Sequence, residues 1–306
     1  MGPPLRVFPR GREGHICDSL TESLEISTRT SHGQAGDTPV RLRGAGQRLR
    51  YNQLHALYFN EQITFFETSL GQPVLSALLR EPWPEPLAES LRRFREEERQ
   101  HTEMFRRLNR LCAPRLYEST DLHFVRVPAF WTGVTRWAVS HPVSLPLFLW
   151  LMLLQEERSL YYSRAYLRSA TPLEPAFVEA HRRHMADEVH HVRWDEELLD
   201  ALWLRIGPAL RAFNARLFAW MLEEFFGAPK RAQLRVIEEL ARESPELRGR
   251  LPEMRRQMLA LARDEAYRET LYSREIVPRT FARFDDCPEF RALSLCGYFP
   301  QEKGAR

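Results

Sequence analysis

Polar and apolar positions alternate with the period of an α-helix along most of this chain. Leu87, Leu91, Phe94, Glu98, His101, Phe105, Leu108 and Cys112 follow each other at steps of 4 and 3. That pattern predicts one inward stripe on a helix over about 87–112. A second stripe reads Phe177, His181, His184, Glu188, His191, Asp195, Leu198 and Leu202, on a helix over about 175–206. The same period predicts helices at about 52–70, 129–140, 145–170, 209–226, 230–243 and 252–275. Gly71 with Pro73, Pro114, Gly207 with Pro208, Gly227 and Pro278 mark their ends or breaks. Residues 113–128 and the tail 279–306 read as irregular. Residues 1–50 show no sustained apolar period and read as a basic, disordered leader. No Gly- or Ser-rich linker divides 51–278, so those residues are expected to form one helical domain.

Both long stripes turn polar at their centres. Glu98 and His101 stand where a bundle helix would want Leu, as do His184, Glu188 and His191. Burying a carboxylate and imidazoles costs several kcal/mol unless something pairs with them, and a metal is the natural compensator. At about 100° per residue, His184, Glu188 and His191 fall within a wedge of about 60°. Two further glutamates complete a pattern. Glu67 lies among Ile63, Phe66 and Leu70, and Glu157 lies in the segment LMLLQEERSLYY. Glu67 precedes Glu98 by 31 residues, and Glu157 precedes Glu188 by 31.

The chain thus repeats a Glu helix followed by a Glu-x-x-His helix, the arrangement of ferritin-like di-iron carboxylate bundles. Four carboxylates match the charge of two divalent ions. Glu156 competes with Glu157 for the fourth place. Glu157 is preferred because it shares a face with Trp150, Leu154 and Tyr161 and keeps the spacing. Glu97 lacks the Glu-x-x-His relationship to His101. His190 points off the stripe. His181 is a candidate pocket residue, and Asp195 is a candidate orienter of a ligand imidazole or a surface cap.

Composition narrows the alternatives. Of 14 glycines, seven lie in the first 50 residues, leaving too few for a turn-rich β fold or a glycine-loop nucleotide fold. The net charge of +3 resides in those same 50 residues, and the neutral remainder argues against nucleic acid as a partner. Four cysteines at 17, 112, 287 and 296, without CxxC spacing, and the lack of a secretion signal point to the reducing cytoplasm. The longest apolar run, LPLFLWLMLL, is too short to span a bilayer and reads as a buried helix.

The third histidine, in His184-x-x-x-Glu188-x-x-His191, resembles the p-aminobenzoate N-oxygenase (AurF-like) family of di-iron enzymes. That resemblance implies an all-α fold, a ferritin-like four-helix bundle with additional helices. It implies Glu67, Glu98, His101, Glu157, His184, Glu188 and His191 as ligands of two iron ions. It further implies a mono-oxygenase that uses O₂ to oxidise the amine of a small aromatic substrate. No flavin or iron–sulfur motif is visible, so electrons are expected from an external reductase. The alternatives are a di-iron hydroxylase or desaturase acting on C–H bonds, or a non-enzymatic ferritin-like metal-binding protein. The helix over 209–226 is apolar on more than one side, as a homodimer interface or a core helix would be. The segment FVRVPAFWTGVTRW is expected to border the substrate, with Phe130 or Trp131 as a wall. Arg126, Arg136 and Arg164 are the candidates to hold an anionic substrate group.

Overall fold

The computed structural model describes Leu42 and residues 44–168, 173–226, 231–261, 263–291 and 293. Among these the regular structure is helical, with no strand. Four long helices form the centre: α1 (Ala45–Phe66), with its continuation α2 (Gln72–Leu78), then α3 (Glu85–Cys112) and, after α4 (Ala129–Val139), α5 (Leu147–Leu167) and α6 (Pro175–Leu202). Helices α5 and α6 share the most extensive packing, α1 lies on α3, and α3 lies on α6. Helices α7 (Pro208–Met221), α8 (Arg231–Glu243), α9 (Leu251–Leu261), α10 (Glu265–Glu269), α11 (Pro278–Asp286) and α12 (Pro288–Arg291) follow. Of these, α8 covers α1, while α7 and α11 cover α5.

Local chemistry explains these elements. Helix α3 buries its apolar stripe and exposes Arg92, Arg93 and Arg99, which pair with Glu89, Glu97 and Glu96. Such pairs add only tenths of a kcal/mol each, about 0.3–0.5; the buried stripe holds the helix. Every residue from Leu147 to Leu154 is buried, because α6, α7 and α11 surround α5. The longest apolar run is therefore a core helix, and no described helix is long and apolar enough to cross a membrane. Proline opens α6, α7 and α11, where its missing N–H has no intrahelical partner to lose.

Several expected boundaries move. The first helix begins at Ala45, inside the expected leader, and Tyr51 through Leu54 are already core. Residues 1–41 lie outside the described residues. Gly71 and Pro73 do not end this helix. The chain widens into a π-helical segment, Glu67–Gly71, where the N–H of Gln72 bonds to the carbonyl of Glu67, and then resumes as α2. Proline inside an α-helix clashes with the carbonyl four residues back, and the wider turn makes room for Pro73. The expected helix 252–275 breaks at Asp264, whose side chain accepts the Tyr267 N–H and starts α10. The tail is not irregular throughout: Phe284 and Phe290 of α11 and α12 pack on Trp150.

Candidate metal centre

Glu67 is the first residue of the π-helical segment, and that segment is where α1 meets α3. Gly71 leaves room for the close approach: a Cβ there would lie 3.1 Å from Glu98 Oε2, so that carboxylate would have to shift by a few tenths of an ångström. Glu98 and His101 project from α3, and His184, Glu188 and His191 project from α6; all are buried. Glu188 is the hub. Its Oε1 lies 2.7 Å from His184 Nε2 and 3.4 Å from His101 Nδ1, and its Oε2 lies 3.1 Å from His191 Nδ1. Glu67 Oε1 lies 3.5 Å from His184 Nε2, and Glu98 Oε1 lies 3.3 Å from His191 Nδ1. The donors form two sets of four, Glu67–His101–His184–Glu188 and Glu98–His101–Glu188–His191, sharing His101 and Glu188.

Outer contacts fix the three imidazoles. His101 Nε2 lies 3.0 Å from Asp187 Oδ2, and His191 Nε2 lies 3.2 Å from Glu97 Oε2. His184 is turned the other way, with Nδ1 3.2 Å from Ser159 Oγ. Each ring thereby turns one nitrogen inward. Thr102 Oγ1 donates to Glu67 Oε2 at 2.8 Å and receives Gln72 Nε2 at 3.1 Å. The inward atoms are left open: Glu67 Oε1, both oxygens of Glu98, His101 Nδ1 and Glu188 Oε1 are buried without a hydrogen-bond partner. Buried polar atoms are almost always paired. Five orphaned oxygen and nitrogen donors aimed into one volume fit hard or borderline divalent cations such as iron.

Charge crowding shows in the ionisation of these groups. Burial, then the Glu98 charge, pushes Glu67 up to about 7. Burial pulls His101 down, but the hydrogen bond to Asp187 and the nearby Glu98, Glu188 and Glu67 carboxylates outweigh it and raise it to about 10. Glu188, despite burial, is held well below the usual carboxylate range by His184 and His191.

The α5 contribution differs from the sequence expectation. Glu156, not Glu157, sits at the cluster: it is buried, lies close to the Glu188 carboxylate, and shares a cavity wall with Glu67 and His184. Burial and the neighbouring Glu188 charge hold its carboxyl well above the usual range. Glu157 faces α11, where its oxygens accept the N–H of Arg279 (2.8 Å), the N–H of Thr280 (2.7 Å) and Thr280 Oγ1 (2.7 Å). Apolar neighbours could not decide between the two, because the stretch of α5 that leads into them, Leu147–Leu154, is buried on every side. A polar signal existed: Glu156, Ser159 and Ser163 recur at helical spacing, and the two serines bond His184 and His181.

The flanking residues sort themselves by geometry. Glu97 and Asp187 were not expected to orient imidazoles. The expected orienter, Asp195, is buried with both oxygens free of hydrogen bonds. His181 is enclosed by Phe105, Tyr166 and Phe177, and burial lowers it well below the ordinary histidine value. His190 is exposed and stacks on Trp194.

A cavity of about 280 Å³ runs from Glu67, Glu156 and His184 toward solvent. Phe59, Phe66, Trp220 and Phe225 wall it. Arg126 lines it as expected, whereas Arg136 and Arg164 are exposed and do not. Phe130 is 71% exposed on α4 and forms no wall, and the Trp131 side chain lies outside the described residues. Arg158, which the sequence reading did not single out, also lines the cavity, its guanidinium set over the rings of Phe59, Tyr162 and Tyr272.

Comparison with known proteins agrees with this arrangement. No curated protein and no solved structure matches the chain. The family described as P-aminobenzoate N-oxygenase AurF matches residues 46–271, which span α1 to α10 and hold every residue of the cluster. An all-α bundle with a buried Glu/His cluster at its centre is the fold that family implies, and the chain belongs to the AurF family of P-aminobenzoate N-oxygenases.

Proposed function

We propose that this protein is a di-iron mono-oxygenase that uses O₂ to oxidise the amine of a small aromatic substrate. The observation that carries the reading is the pair of four-donor sets sharing His101 and Glu188, opening into an aromatic-walled cavity. Glu67, Glu98, His101, Glu156, His184, Glu188 and His191 are the proposed ligands. When bound, the iron pair supplies the activation of O₂ and the oxidation of the amine.

The chain's own residues do the rest. Glu67, Glu98, Glu156 and Glu188 carry four negative charges, which two divalent ions neutralise. Asp187 and Glu97 accept the Nε2–H of His101 and His191, and Ser159 accepts the Nδ1–H of His184, so each ring offers its other nitrogen inward. Gly71 lets Glu98 close against the π-helical segment. Phe59, Phe66 and Trp220 keep bulk water from the reacting end and offer flat faces to an aromatic ring. Electrons come from a separate cytoplasmic reductase.

The test is to load the protein anaerobically with iron, measure the metal content, and supply aniline, a chemical reductant and ¹⁸O₂. About two irons per chain and labelled N-oxygenated product are expected. Oxidation at C–H alone would make the protein a hydroxylase. Iron binding with no substrate oxidation under any reductant would make it a metal-binding protein.

A further inference from the structure

Four arginines line the cavity, and three of them belong to its outer part. Arg126 and Arg231 are exposed and Arg235 is half-buried, whereas Glu67, Glu156 and His184 lie buried at the other end. Beyond those two metal-site carboxylates, Glu224 is the only acid among the described lining residues. Arg126 and Arg231 lie close enough to Arg235 to disfavour its charge, adding to the effect of burial. Glu238 and Glu61 oppose that effect, but Glu238 is bound to Arg255 at 2.6 Å and Glu61 is taken up by hydrogen bonds of its own. Among the described residues, three arginines are thus gathered at a concave entrance lined by one acid, Glu224.

The gathering is built rather than incidental. Arg235 Nη1 donates to the carbonyl of Phe124 at 2.6 Å. The N–H groups of Phe124 and Val125 both donate to Glu61 Oε2 at 2.8 Å, and Glu61 Oε1 accepts the His123 N–H and the Tyr117 hydroxyl. A fully buried carboxylate therefore clamps the segment that carries Arg126 and anchors Arg235. Arg235 and the backbone that carries Arg126 are held in place before any ligand arrives, which lowers the entropic cost of binding one.

We propose that this entrance binds the phosphate group of a phosphorylated amine, with Arg126, Arg231 and Arg235 as its holders. Naming an amine rests on the oxygenase reading above; the phosphate site does not. One carboxylate is satisfied by one guanidinium through two parallel bonds. A phosphate monoester carries about −1.5 to −2 charges on three acceptor oxygens, which suits several guanidinium groups converging from different elements. The arginines line a concavity, so a ligand group enters between them rather than a flat protein surface resting on them. A substrate held by its phosphate at the entrance would extend its other end toward Glu67, Glu156 and His184.

The experiment titrates phenyl phosphate and benzoate separately into anaerobic iron-loaded protein by calorimetry. It compares wild type, the Arg126→Gln and Arg231→Gln single variants, and the double variant. Phenyl phosphate should bind wild type at least about tenfold more tightly than benzoate. The double variant should lose at least about tenfold of that affinity, with benzoate little changed. Its iron content and Tm should remain at wild-type levels, which verifies that the variant folds with its metal centre intact. If the double variant fails this check, the single variants and the weakening of wild-type binding by salt decide. Equal affinity for the two probes would overturn the proposal. So would phenyl phosphate affinity unchanged in the double variant, which would locate the binding at iron, or no phosphate binding, which would assign the arginines to a macromolecular partner. If phenyl phosphate binds as expected but no amine is oxidised, the oxygenase reading falls and the phosphate site stands.

Discussion

Glu156 and Glu157 are neighbours on α5 that face opposite sides of it. Glu156 lies close to Glu188 of the carboxylate–imidazole cluster, while Glu157 accepts three hydrogen bonds from Arg279 and Thr280 at the start of α11. One carboxylate stands beside the cluster, and the other ties a late helix to the core.

The two substitutions should therefore separate. Glu156→Ala should reduce bound iron from about two per chain to one or fewer while the fold persists. Glu157→Ala should keep both irons but lower stability by about 2 kcal/mol, because it removes a charged acceptor from two helix-start N–H groups. Iron analysis and denaturant unfolding of both variants decide. Iron loss in Glu157→Ala alone would reverse the assignment.

Glu97, which also pairs with Arg93, and Asp187 meet the far nitrogens of His191 and His101. Such contacts fix ring orientation, and their removal typically weakens metal affinity by about 10–100-fold. Glu97→Ala and Asp187→Ala should each do so in a competition titration against a chelator. Asp187→Asn, which keeps an acceptor oxygen, should lose less. Wild-type affinity in both alanine variants would show that the imidazoles need no outer support.

Stripping the metal should destabilise the protein. Glu67, Glu98 and Glu188 hold buried oxygens without hydrogen bonds, and Glu156 crowds against Glu188. A ligand present at 100 times its Kd stabilises the native state by about 2.7 kcal/mol. Chelation should lower Tm by at least that equivalent, and re-addition of ferrous iron under anaerobic conditions should restore it. An unchanged Tm would mean that the cluster holds no metal.

His55 supplies a pH dependence outside the metal cluster. Burial, then the nearby Arg158 charge, lowers it from 6.5 to about 4, and its ring packs on Tyr51 and Tyr58. Between those values the unfolded chain takes up a proton that the folded chain refuses. Its contribution is therefore present above 6.5 and lost as pH falls toward 4, by at most about 1.4 kcal/mol per pH unit. His55→Phe should flatten the acid side of the stability profile. Parallel profiles for variant and wild type would rule this out.

What the sequence made legible was whatever lay on an amphipathic helix. All eight stripe positions of α6 are buried, and on α3 only Leu87 is half-exposed. On those helices a polar residue at an apolar position stands out, so Glu98, His101, His184, Glu188 and His191 could be read directly. Helix α5 has no polar face, and its apolar pattern carries no information about direction; hence Glu157 was preferred to Glu156. Glu97 and Asp187 are half-buried among exposed charges and look like ordinary surface residues. Helices α11 and α12 are too short to show a sustained period, and they gain their order from Trp150. The entrance arginines come from a clamped segment and from α8, more than 100 residues apart in the chain, and no local pattern joins them.

The π-helical turn at Glu67–Gly71 makes residue count, not only residue identity, a determinant of the site. Each α-helical residue advances the chain by about 100°, and a π turn spends one residue more. Upstream of that turn Glu67 must face the other carboxylates; downstream of it Val74, Leu75 and Leu78 must face the core. The wide turn takes up its extra residue locally, so both sides keep their facing. Deleting one residue there would let the segment relax into an ordinary helix with Glu67 and the three apolar side chains still in register, and would remove only the widening that makes room for Pro73. One further inserted residue, with the wide turn already used, would swing one side against the other by about 100°, so this interval accommodates a shorter count more readily than a longer one.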